Sequence, residues 1–263
     1  MSTAASKLRF IAGYLKLNLS MAMAYRGSFL LQTLFMAVND TVLLFFWWLV
    51  LMRLPNVAGW GFRNILALYA CSATAFGIGA SFCSNFLNLS RLVAEGQLDY
   101  YLATPQDPFL HVLVAKGWFA GFGDILFGLC CLVFAGGGAW RFAVFPLAVL
   151  AGAAVFVSFG FIYHSLSFWW GRSEALSGMA FESLLTFSLW PGEIFPPLLR
   201  IVFLTIIPAG FVAHLPVRLL QKPSMVLLLF LAGAALLSIL MARAVFMRGL
   251  KRYESGNLVA MRD

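Results

Sequence analysis

Long apolar runs separated by short polar segments dominate the pattern of hydrophobic and polar positions along the chain. A helix that crosses the hydrocarbon core of a bilayer needs about 20 mostly apolar residues. Six runs approach or exceed this length, at residues 28–52, 65–88, 111–135, 144–168, 175–190 and 224–246. They lack the strict alternation of a membrane β-barrel strand. The pattern therefore predicts an all-α polytopic membrane protein with six transmembrane helices in one domain over residues 1–263.

A seventh apolar run, residues 198–215, is shorter and is interrupted by Pro208. Proline breaks the helical hydrogen-bond ladder, which a bilayer tolerates only where protein or water satisfies the freed groups. The run therefore predicts a re-entrant or external helical segment between spans five and six. We assign residues 191–222 to this segment.

The N-terminal segment has a different pattern, because Leu8, Leu15 and Leu19 recur at helical spacing while Lys16 lies off that face. A cleaved signal peptide instead has an uninterrupted apolar centre. Residues 1–27 are therefore predicted to hold an amphipathic helix that lies on the cytoplasmic membrane surface and leads into the first span.

Composition indicates the class of protein, and the distribution of charge indicates its orientation in the membrane. Of the 263 residues, 62% are hydrophobic and only 11% are charged, which is typical of an integral membrane protein. With six spans, twelve of the 18 Lys and Arg residues lie on the side of both termini. The positive-inside rule places that side, with a tail over residues 247–263, in the cytoplasm. The protein is predicted to be multi-pass in the cell (inner or plasma) membrane, and the net charge of +8 favours contact with lipid headgroups over nucleic acid.

The longest polar stretch, "RLVAEGQLDYYLATPQDP", joins spans two and three on the cytoplasmic side. Its apolar positions form an interrupted stripe, which predicts a short helix parallel to the membrane within residues 89–108. Glu95, Gln97 and Asp99 would then face solvent, and Gly96 permits a kink or a close backbone approach. The alternative is an ordinary solvated loop.

The residues "EGQLDYYLATPQDP" resemble the coupling-helix region of ABC-2-type transporter permeases, the membrane subunits of ATP-binding-cassette exporters. The resemblance implies that P-loop ATPase subunits bind this region, that ATP and Mg²⁺ bind those partners, and that a second permease, the same chain or a related one, completes the transporter. The residues implied in ATPase coupling are Arg91, Glu95, Gly96, Gln97, Leu98, Asp99 and Leu102. Arg172 and Glu174, between spans four and five, are predicted to form a second cytoplasmic contact.

A second stretch, "WPGEIFPPLLRIVFLTIIPAGFVAHLP", strengthens this resemblance. It is similar to the external loop of one branch of that superfamily, whose members have six spans and about the length of this chain. At the positions of Trp190 and His214, Tyr or another aromatic residue is more usual in that branch. The resemblance and the prolines imply an external gate formed by Trp190, Pro191, Ile194, Phe195, Pro196 and Pro208. The alternative is a surface loop with Trp190 in the aromatic belt.

Two carboxylates lie near the middle of predicted spans, Asp40 in span one and Asp124 in span three. A lone charge at that depth costs about 2.5 kcal/mol or more, so each needs a partner. One hypothesis places Asp40, Asp124 and Glu182 on a translocation path, where carboxylates among aromatic side chains attract cationic or amphipathic compounds. The alternative is a structural role, in which each is protonated or hydrogen-bonded between helices, with Asn39, Gln32 or Thr41 nearby in sequence.

The chain lacks the motifs of several enzyme classes, including the Walker A, GxGxxG, HExxH, CxxC and GxSxG patterns. We therefore expect a transport subunit without ATPase motifs, catalytic residues, a metal or a bound cofactor. Two alternatives remain open: an ion-coupled secondary transporter that uses Asp40 and Asp124, and a membrane-embedded lipid enzyme. The absence of a visible inverted repeat weighs against the first, and the absence of a catalytic constellation weighs against the second.

Small residues recur at helical spacing in two of the predicted spans. Gly117 and Gly121 form a GxxxG pattern in span three, and Gly152 and Gly160 belong to a partly small stripe in span four. Such residues allow helix backbones to approach closely. Both stretches therefore predict close helix contacts.

Overall fold

A computed structural model describes residues 4–253, and every regular element within that range is helical. The α-helices of this range, joined by short turns of 3-10 and π helix, are α1 (Ala4–Ala24), α2 (Arg26–Arg53), α3 (Phe62–Cys83), α4 (Leu89–Ala94), α5 (Asp99–Leu102), α6 (Pro108–Val114), α7 (Phe122–Ala135), α8 (Trp140–Ser165), α9 (Ser167–Trp170), α10 (Glu174–Ser188), α11 (Pro197–Thr205), α12 (Leu215–Gln221) and α13 (Met225–Leu250). The predicted all-α polytopic class is confirmed.

Four helical segments of the described range are long and apolar enough to cross a membrane, and two bent helix pairs raise the number to six. The four are α2, the segment Phe62–Ala94, the segment Trp140–Trp170, and α13. The bent pairs are Pro108–Val114 with Phe119–Ala135, at 65°, and Pro197–Thr205 with Gly210–Gln221, at 86°. The predicted fifth span corresponds to α10, whose 15 residues span about 22 Å, less than the core thickness of about 30 Å.

The second bent pair folds back on itself instead of crossing the bundle. Glu193, just before the pair, contacts Arg218 in its second helix at 3.1 Å. The ring nitrogen Nε2 of His214 lies 2.9 Å from the carbonyl oxygen of Trp190. Since the beginning and the end of the pair are neighbours, it forms the predicted re-entrant or external helical segment. We call it the external hairpin.

Span three is not the continuous helix predicted over residues 111–135. Residues 115–118 are unwound between α6 and a short 3-10 turn that leads into α7. The backbone N–H of Trp118 donates instead to the carbonyl of Ala80 in α3, at 2.8 Å. Gly117 makes this approach possible, because a Cβ there would overlap the carbonyl of a neighbouring residue of α3. Contacts between helices thus satisfy backbone groups that the break leaves free.

The predicted GxxxG contact lies between α3 and α7 of the same chain. Gly77 and Gly121 face each other so closely that a Cβ on either would overlap the other's carbonyl oxygen. Gly123 allows α7 a similar approach to α2, at the carbonyl of Thr33 and the side chain of Met36. The small residues therefore hold α2, α3 and α7 together at the level of the intramembrane carboxylates.

The termini differ slightly from the predicted boundaries. Helix α1 ends at Ala24, and the chain breaks its helical path at Tyr25 before α2 begins. Helix α13 continues to Leu250, so the first four residues of the predicted tail 247–263 are helical. Residues 254–263 of that tail lie outside the described part of the chain.

Candidate coupling and translocation sites

The polar stretch between spans two and three folds as two short helices, α4 and α5, joined by a turn. Gly96 has φ +70° in this turn, a backbone conformation that glycine adopts without steric cost. The predicted single helix is therefore wrong, because the chain changes direction at Gly96. We call residues 89–102 the coupling segment.

The coupling segment continues directly from span two. A 3-10 turn, Ser84–Asn88, joins α3 to α4, and the whole segment Phe62–Ala94 counts as one helical span of 33 residues. This span is also the most buried of the four unbroken candidates, with 83% of its apolar window inside the protein. The coupling segment is therefore directly connected to the most buried of these four candidate spans.

The coupling segment exposes some of its predicted contact residues and buries others. Arg91, Glu95, Gln97 and Leu102 are exposed, and the amide of Gln97 donates to the Glu95 carboxylate at 2.8 Å. Leu98 is buried and Gly96 is half-buried.

Asp99 does not face open solvent as predicted, because it is half-buried beside the end of α13. Burial, together with the neighbouring Asp99 carboxylate, raises the pKa of the Tyr253 hydroxyl to about 12. Asp99 thus joins the coupling segment to the last described residue, whereas Glu95 and Gln97 are free to meet a partner.

A network of buried hydrogen bonds joins the coupling segment and the loop after it to the neighbouring helices. Asn85, which is fully buried, donates from Nδ2 to the hydroxyl of Tyr101 at 3.2 Å and to the carbonyl of Val112 at 2.8 Å. His111 is 1% exposed and is hydrogen-bonded to the hydroxyls of Tyr14 at 2.7 Å and Thr104 at 3.0 Å. Sequence reasoning missed this network, although a lone Asn and a lone His in apolar runs were signals for it.

An ion pair fixes the end of the same loop to α13. The guanidinium of Arg243 donates to the Asp107 carboxylate at 2.6 Å, and the other carboxylate oxygen accepts from the backbone N–H of Leu110 at 3.1 Å. Burial alone would raise the pKa of Asp107, but these hydrogen bonds outweigh it and hold the pKa below its usual value. The loop is therefore anchored on α1, α6 and α13.

Arg172 and Glu174 are both exposed on the short connection between α9 and α10. This connection lies close to the coupling segment, because α4 packs against both α9 and α10. The hydroxyl of Ser90 in α4 also donates to the carbonyl of His164, near the end of α8, at 3.1 Å. The structure thus brings the two predicted cytoplasmic contact regions to one end of the bundle.

All three intramembrane acids line one cavity of about 280 Å³. The cavity lies between α2, α3, α7 and α10, and its walls are mainly aromatic and aliphatic. The aromatic residues of the walls are Phe76, Phe86, Trp118, Phe156 and Phe181. This is the arrangement that the translocation-path hypothesis requires.

Asp40 and Asp124 face each other across the cavity wall formed by α2 and α7. Their side chains interact directly, and the residues are 7% and 2% exposed. The Oδ2 atom of each is buried and has no hydrogen-bond partner within residues 4–253. Glu182 is exposed and lies at the edge of the cavity. Asp40 and Asp124 thus form a pair of contacting carboxyl groups, which we call the carboxyl pair, and Glu182 is not part of it.

Two of the hydrogen-bond partners considered for Asp40 bond elsewhere. The amide of Gln32 donates to the hydroxyl of Ser28 at 2.9 Å, and the hydroxyl of Thr41 donates to the carbonyl of Ala37 at 2.7 Å. Both bonds stay within α2, so neither residue supplies the carboxyl pair with a donor.

The predicted gate residues lie on the external hairpin and its approach. Pro191 and Pro208 are buried, whereas Ile194 and Pro196 are exposed. The rings of Trp190 and Phe195 are half-buried in aromatic clusters, the first against Trp47 and Phe46, the second against Phe187 and Phe203. The hydroxyl of Tyr163 donates to the carbonyl of Ile206 at 2.7 Å, which satisfies a backbone group beside Pro208. The hairpin is therefore held by aromatic packing and by bonds to the bundle.

Glu193 links the external hairpin to the rest of this end of the bundle. Its carboxylate accepts from Nε1 of Trp60 at 2.6 Å and pairs with Arg218 at 3.1 Å, while Arg200 donates to its carbonyl at 2.8 Å. Burial alone would raise the pKa of Glu193, but the hydrogen bonds from Arg218 and Trp60 lower it overall. Sequence reasoning missed this external latch, formed by Glu193, Trp60 and Arg218. Its signal was a lone acid between the prolines of the hairpin motif.

Comparison with protein families gives one match. Residues 37–256 match the family described as ABC-2 family transporter protein. The matched region includes the carboxyl pair, the coupling segment and the external hairpin. No curated protein and no solved structure matches the chain significantly.

Proposed function

The chain belongs to the ABC-2 family of transporter proteins and is a permease subunit of an ATP-binding-cassette transporter, and on this premise we propose that separate ATPase subunits drive it through the coupling segment. ATP and Mg²⁺ bind those subunits. The coupling segment and the Arg172 to Glu174 connection form the surface that receives them, with Glu95 and Gln97 at its centre.

The observation that carries this proposal is the direct connection from the cavity to the coupling segment, which runs along α3 and the 3-10 turn Ser84–Asn88 into α4. Ser72, Phe76 and Ala80 of α3 line the cavity, and the same helical span ends in α4. The Asn85 hydrogen bonds hold the second half of the coupling segment to this span. A partner that moves Glu95 and Gln97 therefore moves one wall of the cavity with them.

The transport cycle then has an inward-facing and an outward-facing state. ATP drives the exchange between them only if the closed ATPase dimer binds one state more tightly than the other. In this scheme both termini are cytoplasmic, a second permease completes the path in the cell membrane, and the external hairpin opens to release the exported compound.

The proposal is tested on the tagged chain solubilised from its native membranes. We expect a P-loop ATPase to co-purify and to hydrolyse ATP in a vanadate-sensitive manner. Glu95→Lys lowers both recovery and turnover several-fold, while Glu95→Gln has a smaller effect because it adds no opposite charge. Arg63→Glu, an exposed charge reversal at the other end of the bundle, serves as the matched control.

The two possible results for Glu95→Lys lead to opposite conclusions about the coupling segment. Loss of the ATPase with Glu95→Lys, but not with Arg63→Glu, supports the coupling segment as the docking surface. A Glu95→Lys protein with full ATPase recovery and normal turnover contradicts it. Elution position on a sizing column shows that each variant remains folded.

A further inference from the structure

We propose that the cavity beside Asp40 and Asp124 binds a compact organic cation with a single positive charge. The proposal deepens the proposed function, on which it rests, because it names the class of compound that the permease carries. The observations behind it are the cavity and the side chains that line it.

The charge of the cavity is unbalanced. Its charged lining residues are Asp40, Asp124 and Glu182, and no Lys, Arg or His of the described range lines it. Two buried carboxylates in contact repel each other strongly in a medium of low dielectric constant. A pair that shares one proton keeps one negative charge, so one positive charge neutralises it. Both Oδ2 atoms are buried and have no hydrogen-bond partner within residues 4–253, so no donor of that range offsets their charge.

The walls favour an organic cation over a metal ion. No group of three His, Cys, Asp or Glu residues in the described range is placed to hold a metal. The cavity instead surrounds the pair with five aromatic rings, and the faces of such rings attract ammonium groups. Its volume of about 280 Å³ is just below the roughly 300–1,000 Å³ that is usual for small-molecule sites. Both observations indicate a small cation with an apolar body.

A path to the cavity leads past Trp118. The side chain of Trp118 also lines a second pocket of about 450 Å³, whose lining includes Asn18 of α1, Phe29 of α2 and Lys116. Trp118 belongs to the unwound part of span three, where the backbone is held by α3. Trp118 thus lines both the pocket at the junction of α1 and α2 and the cavity of the carboxyl pair.

The test measures saturable binding of radiolabelled benzyltrimethylammonium to the purified full chain in nanodiscs. Its uncharged carbon analogue, neopentylbenzene, and Na⁺ and Mg²⁺ are the competitors. Asp40→Asn and Asp124→Asn remove one charge each with almost no change in size. Asp107→Asn makes the same substitution in the ion pair with Arg243, outside the cavity, and is the matched control.

We expect the wild type and Asp107→Asn to bind the probe equally, and Asp40→Asn and Asp124→Asn to bind it about tenfold or more weakly. Neopentylbenzene, Na⁺ and Mg²⁺ should not displace it. Absence of saturable binding, equal binding by all variants, or displacement by any of the three competitors overturns the proposal. Because the assay contains no ATPase, its failure leaves the result of the ATPase co-purification unchanged, and the two proposals fail separately.

Discussion

The side-chain amide of Asn85 donates a 3.2 Å hydrogen bond to the hydroxyl of Tyr101, and this bond joins the central span to the second half of the coupling segment. Asn85 also bonds the carbonyl of Val112, so one buried residue holds three consecutive parts of the chain. Buried polar groups of this kind stay paired because an unpaired one costs about 1–3 kcal/mol. The network therefore makes the coupling segment a rigid extension of the bundle.

Tyr101→Phe is expected to weaken coupling without unfolding the protein. The substitution removes one hydrogen bond, worth about 0.5–1.5 kcal/mol, while the Asn85 amide keeps its bond to Val112. We predict a slightly lower melting temperature and lower ATP turnover at normal ATPase recovery. Tyr25→Phe, at an exposed tyrosine, is the control and should match the wild type. Normal turnover in Tyr101→Phe would show that the network is only structural.

Asp40→Asn and Asp124→Asn are expected to leave the melting temperature unchanged or to raise it. Each removes repulsion between two buried carboxyl groups, and an amide is less costly than a charge inside a membrane. Asp107→Asn should instead lower it, because it breaks the ion pair with Arg243. Thermal unfolding of the three variants in the same detergent compares them. A destabilised Asp40→Asn or Asp124→Asn protein would assign the pair a structural role.

Gly123→Ala is expected to destabilise the protein by about 1–3 kcal/mol, because its Cβ would overlap the backbone of Thr33. Gly178→Ala, in a helix position with open space around it, should stabilise by about 0.5–1 kcal/mol through the lower helix propensity of glycine. The pair is compared by thermal unfolding. Equal effects of the two substitutions would contradict the close approach of α2 and α7.

The external latch is expected to depend on pH. The folded protein holds the pKa of Glu193 below its ordinary value of 4.5, so the ionised carboxylate contributes stability that is fully present above pH 4.5. This contribution is lost as the pH falls through the lower, folded-state pKa. Melting temperatures of the wild type and Glu193→Gln should therefore differ near neutral pH and converge on acidification. A difference that stays constant, or grows in acid, would contradict the latch.

Hydropathy predicted the bounds of the first and the last span closely. The ends of α2 and α13 lie within four residues of the ends of the apolar runs 28–52 and 224–246. A helix that crosses the hydrocarbon core needs a long apolar run, and such a run can be recognised from consecutive residues alone. The break at residues 115–118 was not predictable in the same way. The freed N–H of Trp118 bonds to α3 and the freed carbonyl of Val114 bonds to Asn18 of α1, and hydropathy carries no information on which helices are neighbours.

Individual candidate residues were easier to predict from the sequence than the residues that they contact. The costs of burying charge singled out Asp40 and Asp124 individually, but only helix packing at Gly123 brings them together. Glu193 and Trp60 show the opposite case, because neither is unusual alone and their contact joins two external segments far apart in the sequence. The kink at Gly96 was considered possible, yet its positive φ became evident only in the folded chain.

Site-specific photo-crosslinking shows whether an ATPase docks on the segment that contains Glu95 and Gln97. A photoreactive amino acid is placed at exposed Gln97 in the native membrane, and at exposed Arg63 as the control at the opposite end of the bundle. We expect a light-dependent adduct with a P-loop ATPase from position 97 and none from position 63. An ATPase adduct from position 63, or none from position 97 in membranes where the ATPase co-purifies with the chain, would contradict it.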